Sequence, residues 1–165
     1  MKLVVIRHGP AGDREEWERE GHDDRRRPLT LDGKKRMREA VGGLATVVAS
    51  IDVLAASPLV RAEQSAEIVA DEFGVQFQTL DALTPDREPN ETVQWLHRQA
   101  GDATVAIVGH EPHLSVLIGY LLVGKSHSFI GLKKAGVCLL DLADGPKPGG
   151  GTLEWLLTPR VLRRL

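Results

Sequence analysis

The sequence predicts an α/β fold, a three-layer α/β/α sandwich around a mainly parallel sheet. Two observations carry this. The first is Leu3-Val4-Val5-Ile6, an apolar run too short for a helix and rich in β-branched residues, as in strands buried on both faces. The second is the alternation that follows, in which amphipathic stretches at helical spacing separate further short apolar runs. The chain's 165 residues fit one domain, 1–165.

The elements follow in order. The first run ends in Arg7-His8-Gly9-Pro10, and open α/β sheets bind ligands just past the carboxyl ends of their strands. Residues 12–27 are strongly charged and are expected to form a solvated loop with a turn of helix; Arg27 has a lesser claim to lean toward an anion, and the run a lesser one to touch a protein partner. Thr30 and Asp32 open a long helix, since exposed amides of a first turn want an acceptor. Met37, Ala40, Val41, Leu44, Val47 and Val48 form its expected buried face. Ile51 to Ala56 reads as the second strand, ending in Ser57-Pro58, with Pro58 allowed in the first turn of a helix that Gly74 stops. Arg61 lies in that first turn, beside the strand's carboxyl end.

Residues 75–80 form a short strand, 83–90 a proline-bearing loop and 91–99 a modest helix. Thr104 to Val108 is a clear strand that again ends in Gly-His, Gly109-His110, and His113 to Val123 is an apolar helix. Strands around 136–142 and 152–157 flank a Gly- and Pro-rich turn and predict a hairpin. The basic tail carries no signal. His113 reads as a helix-start residue, and His22, His97 and His127 as surface residues.

Composition narrows the function. A formal net charge of −2 argues against a nucleic-acid binder. The one cysteine, Cys138, sits in a strand and reads as a structural thiol in a reducing compartment. Arg7 and His8 interrupt the first apolar run too early for a signal peptide, and no stretch approaches the roughly 20 apolar residues of a membrane span. The expectation is a cytoplasmic protein.

If the strands are neighbours, Arg7, His8, Arg61 and His110 converge. Such a forked, cationic set suits a tetrahedral dianion, and a neutral imidazole attacking phosphorus would form a phosphohistidine that water then hydrolyses. The arginines would neutralise the oxygens, so no metal and no cofactor is expected; no cluster has metal-ligand spacing.

Arg7-His8-Gly9, the segment Ser57-Pro58-Leu59-Val60-Arg61-Ala62-Glu63-Gln64-Ser65-Ala66, and Val108-Gly109-His110 together resemble the three signatures of the histidine phosphatase (phosphoglycerate mutase-like) superfamily. Within it the chain most resembles the small SixA type, phosphohistidine phosphatases that act on histidine-containing phosphotransfer domains. Compact length, Arg27-Pro28-Leu29-Thr30 and Leu83-Thr84-Pro85 carry that likeness. The resemblance implies His8 as the phosphorylated nucleophile, with Arg7, Arg61 and His110 forming the phosphate pocket and His110 also stabilising the transferring group. Mutase-type relatives carry an insertion with an acidic proton donor where this chain has only Thr84 to Asn90. Asp86 and Glu88 are the available candidates, though no motif places them. The implied substrate is a phosphorylated protein. The alternatives are a small phosphorylated metabolite, for a phosphomonoesterase or mutase, and a non-catalytic phosphate-binding module.

Overall fold

The computed structural model describes residues 1–165. Its sheet has six strands: β1 (Lys2–Arg7), β2 (Val53–Ala56), β3 (Phe77–Thr79), β4 (Thr104–Gly109), β5 (Val137–Asp141) and β6 (Thr152–Leu157). They lie in the order β3-β2-β4-β1-β5-β6. The first four in that row are parallel, and β5 and β6 add as an antiparallel hairpin against β1. Strand β1 is therefore interior, and its register with β4 sets Arg7 opposite Gly109.

The helices are α1 (Arg14–Arg19), α2 (Leu31–Val47), α3 (Val60–Phe73), α4 (Pro89–Leu96), α5 (His113–Val123) and α6 (Pro159–Leu162), with single 3-10 turns at Asp24–Arg26 and Asp81–Leu83. The period-two alternation of strand side chains divides the interior into two layers. Leu3, Val5, Val105 and Ile107 pack against Leu96 of α4 and Leu114, Leu117 and Leu121 of α5. Val4, Ile6, Ala106 and Val108 pack against Met37, Val41 and Leu44 of α2, Ala62 and Val69 of α3, and Leu162 of α6. This is the expected three-layer sandwich. The middle of β1, Leu3 to Ile6, is apolar at every position because both of its faces are covered.

Several local expectations shift. Thr30 caps α2 by accepting the Gly33 amide, as read from the sequence, but Val47 faces solvent at 44% exposure. Pro58 stands outside α3, which begins at Val60. Pro89 opens α4 instead of belonging to a loop, because a proline at the first helical position leaves no amide unpaired. The tail is structured: Leu162 is fully buried, and its carbonyl lies against Gly43 where any β-carbon would collide. No helix is long and apolar enough to cross a membrane.

Candidate active site

Strands β2, β4 and β1 end side by side, and the predicted residues meet beyond their carboxyl ends. His8 and His110 are 5% and 2% exposed, with ring centroids 5.0 Å apart at 53°. The His8 amide donates to the Gly109 carbonyl at 3.1 Å, so the two histidine-bearing strand ends are hydrogen-bonded to each other. Arg7, His8, Arg61 and His110 all line one open cavity, whose wall is mostly polar.

Each imidazole has a defined partner. His8 Nδ1 lies 2.7 Å from the Gly9 carbonyl, which can only accept. The proton therefore sits on Nδ1, and Nε2 keeps its lone pair. His110 Nε2 is 2.8 Å from Ser57 Oγ, so the residue that ends β2 orients the ring that ends β4. Burial, then the nearby charges of Arg61 and Arg7, pushes His8 down to about 3, even though the Gly9 hydrogen bond works the other way. Burial, then His8 and Arg61, pushes His110 down to about 2. Both rings are neutral at pH 7.

The guanidinium groups are held from behind. Arg7 Nη1 donates to the Leu132 carbonyl at 2.6 Å. Arg61 Nη1 donates to the Asp24 carbonyl at 2.8 Å, and its Nη2 to the Asp24 carboxylate at 3.0 Å. The other oxygen of that carboxylate accepts from Arg27 Nε at 2.8 Å, and Arg27 Nη1 reaches the Gly12 carbonyl at 2.6 Å. Burial works to raise the Asp24 carboxyl, but the Arg27 hydrogen bond and the Arg61 and Arg27 charges outweigh it and hold it below the usual carboxylate range. Each terminal nitrogen of Arg61 carries a second N–H, so the clamp fixes the fork without using it up.

The signature segment on α3 also fixes the loop after β1. Ser65 Oγ accepts the Gly9 amide at 3.0 Å and donates to the Arg61 carbonyl at 2.7 Å, and Gln64 accepts the Leu29 amide at 2.9 Å. The loop itself lies on α2, where the Pro10 carbonyl sits against Gly33 and leaves no room for a β-carbon.

The charged run thus departs from the expected solvated loop. Its helix α1 buries nothing, but Arg27 is 8% exposed and Asp24 and Arg27 line the cavity. Sequence reasoning also passed over Lys134, Glu111 and Ser57 as cavity or supporting groups. Ser57 was legible, because it ends a strand at the same edge. Lys134 was not, because it lies far along the chain. Asp86 and Glu88 stand outside the cavity lining, which that segment reaches only through Pro85. Both are exposed, and the Thr84 hydrogen bond holds Asp86 below the usual carboxylate range, hence ionised. Glu111 has both oxygens engaged, by the Leu132 amide at 3.1 Å and by Ser115 Oγ. His113 is buried at the start of α5 and does not line the cavity, and Cys138 is fully buried with its thiol pushed up to about 12. No three His, Cys, Asp or Glu side chains group as metal ligands.

Fold and site define a class: an α/β protein presenting two neutral histidines and a fixed arginine fork at one cavity. The model of the histidine phosphatase superfamily (branch 1) matches residues 3–84. An uncharacterized protein of Picosynechococcus is 34% identical over 140 residues, covering 83% of this chain and 82% of that one. The phosphohistidine phosphatase SixA of Escherichia coli is 26% identical over 167 residues, covering 99% and 97%. Among solved structures, the protein histidine phosphatase SixA complexed with tungstate aligns with a TM-score of 0.81 at 25% identity, covering 97% of this chain and 98% of that one. Phosphoserine phosphatase of Entamoeba histolytica, in complex with 3-phosphoglyceric acid, shares the fold at a TM-score of 0.72 and 16% identity, covering 98% of each.

The chain belongs to the histidine phosphatase superfamily. Its reaction class is that of a phosphatase working through histidine.

Proposed function

We propose that the chain is a metal-independent phosphohistidine phosphatase, one domain over 1–165, that removes phosphate from a histidine on a protein. The observation that carries the substrate class is the state of the carboxylates around the cavity. Asp13 caps α1 by accepting the Glu16 amide, Asp24 is clamped between two arginines, Glu111 is doubly hydrogen-bonded, and Asp86 is held ionised outside. None is positioned as a carboxylic acid to protonate an alkoxide. A phosphoramidate leaving group is an imidazole, which departs without that help. The open cavity also suits a phosphate carried on a protein, and the likeness to SixA supports the same choice.

The mechanism assigns His8 Nε2 as nucleophile. The Gly9 carbonyl holds the proton on Nδ1 and so directs the lone pair at phosphorus. A P–N bond forms to Nε2 as the P–N bond to the substrate imidazole breaks, and the departing ring takes its proton from solvent. Arg7, Arg61 and His110 surround the equatorial oxygens, where charge spreads in the transition state. Water then attacks the phosphorylated His8 and releases inorganic phosphate. The guanidinium groups supply the positive charge, so no metal is required.

Competition between a phosphohistidine protein, phosphosugars and aryl phosphates, ranked by kcat/KM, tests the substrate class; the phosphoprotein is expected to rank first. Acid-labile, base-stable phosphate on His8 during turnover tests the intermediate. His8→Ala is expected to remove both label and turnover. Hydrolysis persisting unchanged in that variant would overturn the mechanism.

A further inference from the structure

Beside the catalytic cavity runs a second groove lined by Arg7, Arg36, Lys133, Lys134 and Arg163, with no carboxylate in its wall. Arg7 and Lys134 also line the catalytic cavity, so the two depressions are adjacent. The chain as a whole carries a formal net charge of −2, so this density of cations is not a reflection of a basic protein. Arg36 is paired with Asp32 and Arg163 with Glu39 along α2, but Lys133 and Lys134 are exposed and have no acidic partner.

The backbone that carries the lysines is anchored. The Ala135 amide donates to the carbonyls of Arg7 and His8, both at 3.1 Å, and the Gly136 amide to the Lys133 carbonyl at 2.7 Å. Ala135 adopts φ +60°, a left-handed conformation rare for a residue with a β-carbon. The preceding residue, Leu132, receives Arg7 Nη1 and donates to Glu111. The backbone of the loop is thus bound to the catalytic strand end, and its two lysines project from a fixed main chain beside His8.

We infer that this groove is a docking site for an acidic segment of the phosphoprotein substrate, flanking the phosphohistidine presented to His8. The inference rests on the phosphohistidine reading above. Cations at the rim of a binding surface act on encounter rate and salt dependence, and specify which protein is accepted. The free phosphate-bearing side chain is common to all substrates of the class, so discrimination has to come from surfaces of this kind.

The test uses the full-length protein and two peptides phosphorylated on a single histidine, one flanked by glutamates and one by glutamines, with an aryl phosphate as the reference. The wild type is expected to favour the glutamate peptide by about tenfold in kcat/KM at low salt, with the preference shrinking as salt rises. Lys133→Glu, and Lys133→Glu with Arg163→Glu, are expected to abolish that preference and leave aryl phosphate turnover unchanged. The single variant keeps the test intact if the double one disturbs α6, and Arg98→Glu, exposed and outside the groove, controls for net charge. Equal rates on both peptides in the wild type, or a preference that survives charge reversal, would overturn the groove while leaving the phosphohistidine reading in place. Failure to hydrolyse either peptide, with aryl phosphate still turned over, would overturn that reading and the groove with it. A charge-reversal effect confined to binding of a thymidine oligonucleotide would make the groove a nucleic-acid surface and also overturn the proposal.

Discussion

Asp24 places a negative charge inside the pocket proposed to take a phosphoryl dianion, and its geometry explains why that is tolerable. It receives both terminal nitrogens of Arg61 and Nε of Arg27, and so works as the back of the fork. Replacing its side chain relieves repulsion of the substrate, but it also takes the carboxylate from the buried Arg61 guanidinium and leaves it only the backbone carbonyl at position 24. Positioning outweighs repulsion, because small displacements of a group facing the transition state are costly. Asp24→Ala is expected to lower kcat/KM for an aryl phosphate by about tenfold, and Asp24→Asn, which keeps one side-chain acceptor oxygen, by less. An unchanged rate in the alanine variant would assign the clamp to structure alone. This pairing was not legible in the sequence. A run with both signs of charge looks solvated until its fold-back onto α3 is known, and nothing in residues 12–27 specifies that fold-back. Arg7, His8, Arg61 and His110 were legible, because each stands at a strand-to-helix junction that local patterning reveals.

At the scale of elements, boundaries were clearest where a physical stop signal exists. Helix α5 runs from His113 to Val123 as read, and Gly74 ends α3 at φ +65°. They were least clear where capping and packing compete, as at Pro89 and Val47. The contact between the loop after β1 and α2 belongs to this scale. Gly33 admits the Pro10 carbonyl, and the same loop is tied to α3 through Ser65. A methyl group at position 33 pushes on the loop that carries His8 and not on the hydrophobic layers. Gly33→Ala is therefore expected to cost about 1 to 3 kcal/mol in urea unfolding, with a loss of kcat larger than its loss of stability alone explains. A destabilised variant that keeps its full kcat at low temperature would show that the loop moves without disturbing His8.

For the molecule as a whole, placing the site at a buried strand edge ties stability to pH. Folding lowers His8 to about 3 and His110 to about 2 from an ordinary value near 6.5. The unfolded chain therefore binds more protons than the folded one between those limits, and stability falls as pH drops below about 6.5. Ordinary carboxylates titrate lower, so the loss between pH 7 and 5 belongs to the buried histidines, among them His113, which burial also lowers. It is expected to reach about 1 to 2 kcal/mol per histidine at pH 5, read from urea midpoints, and to flatten in His8→Asn and His110→Asn. A curve equally steep in both variants would place the titration elsewhere. The layered sheet was legible from β1, whose apolar residues alternate between two interiors. The antiparallel hairpin that carries Lys133 and Lys134 to β1 was legible as a hairpin, but its place beside β1 was not, because pairing across more than a hundred residues leaves no local trace.

The charged segment that closes one side of the pocket has a further consequence. Helix α1 and the turn at Asp24 to Arg26 bury no residue, and hydrogen bonds from Arg61 and Arg27 attach them to the rest. The opposite wall is β1, interior to the sheet, with Leu3 to Ile6 wholly inaccessible. Segments that bury little open locally at small cost, and interior strands open only with the whole molecule. The two walls therefore move on different clocks, one fixing where attack occurs and the other yielding to whatever brings the phosphate in.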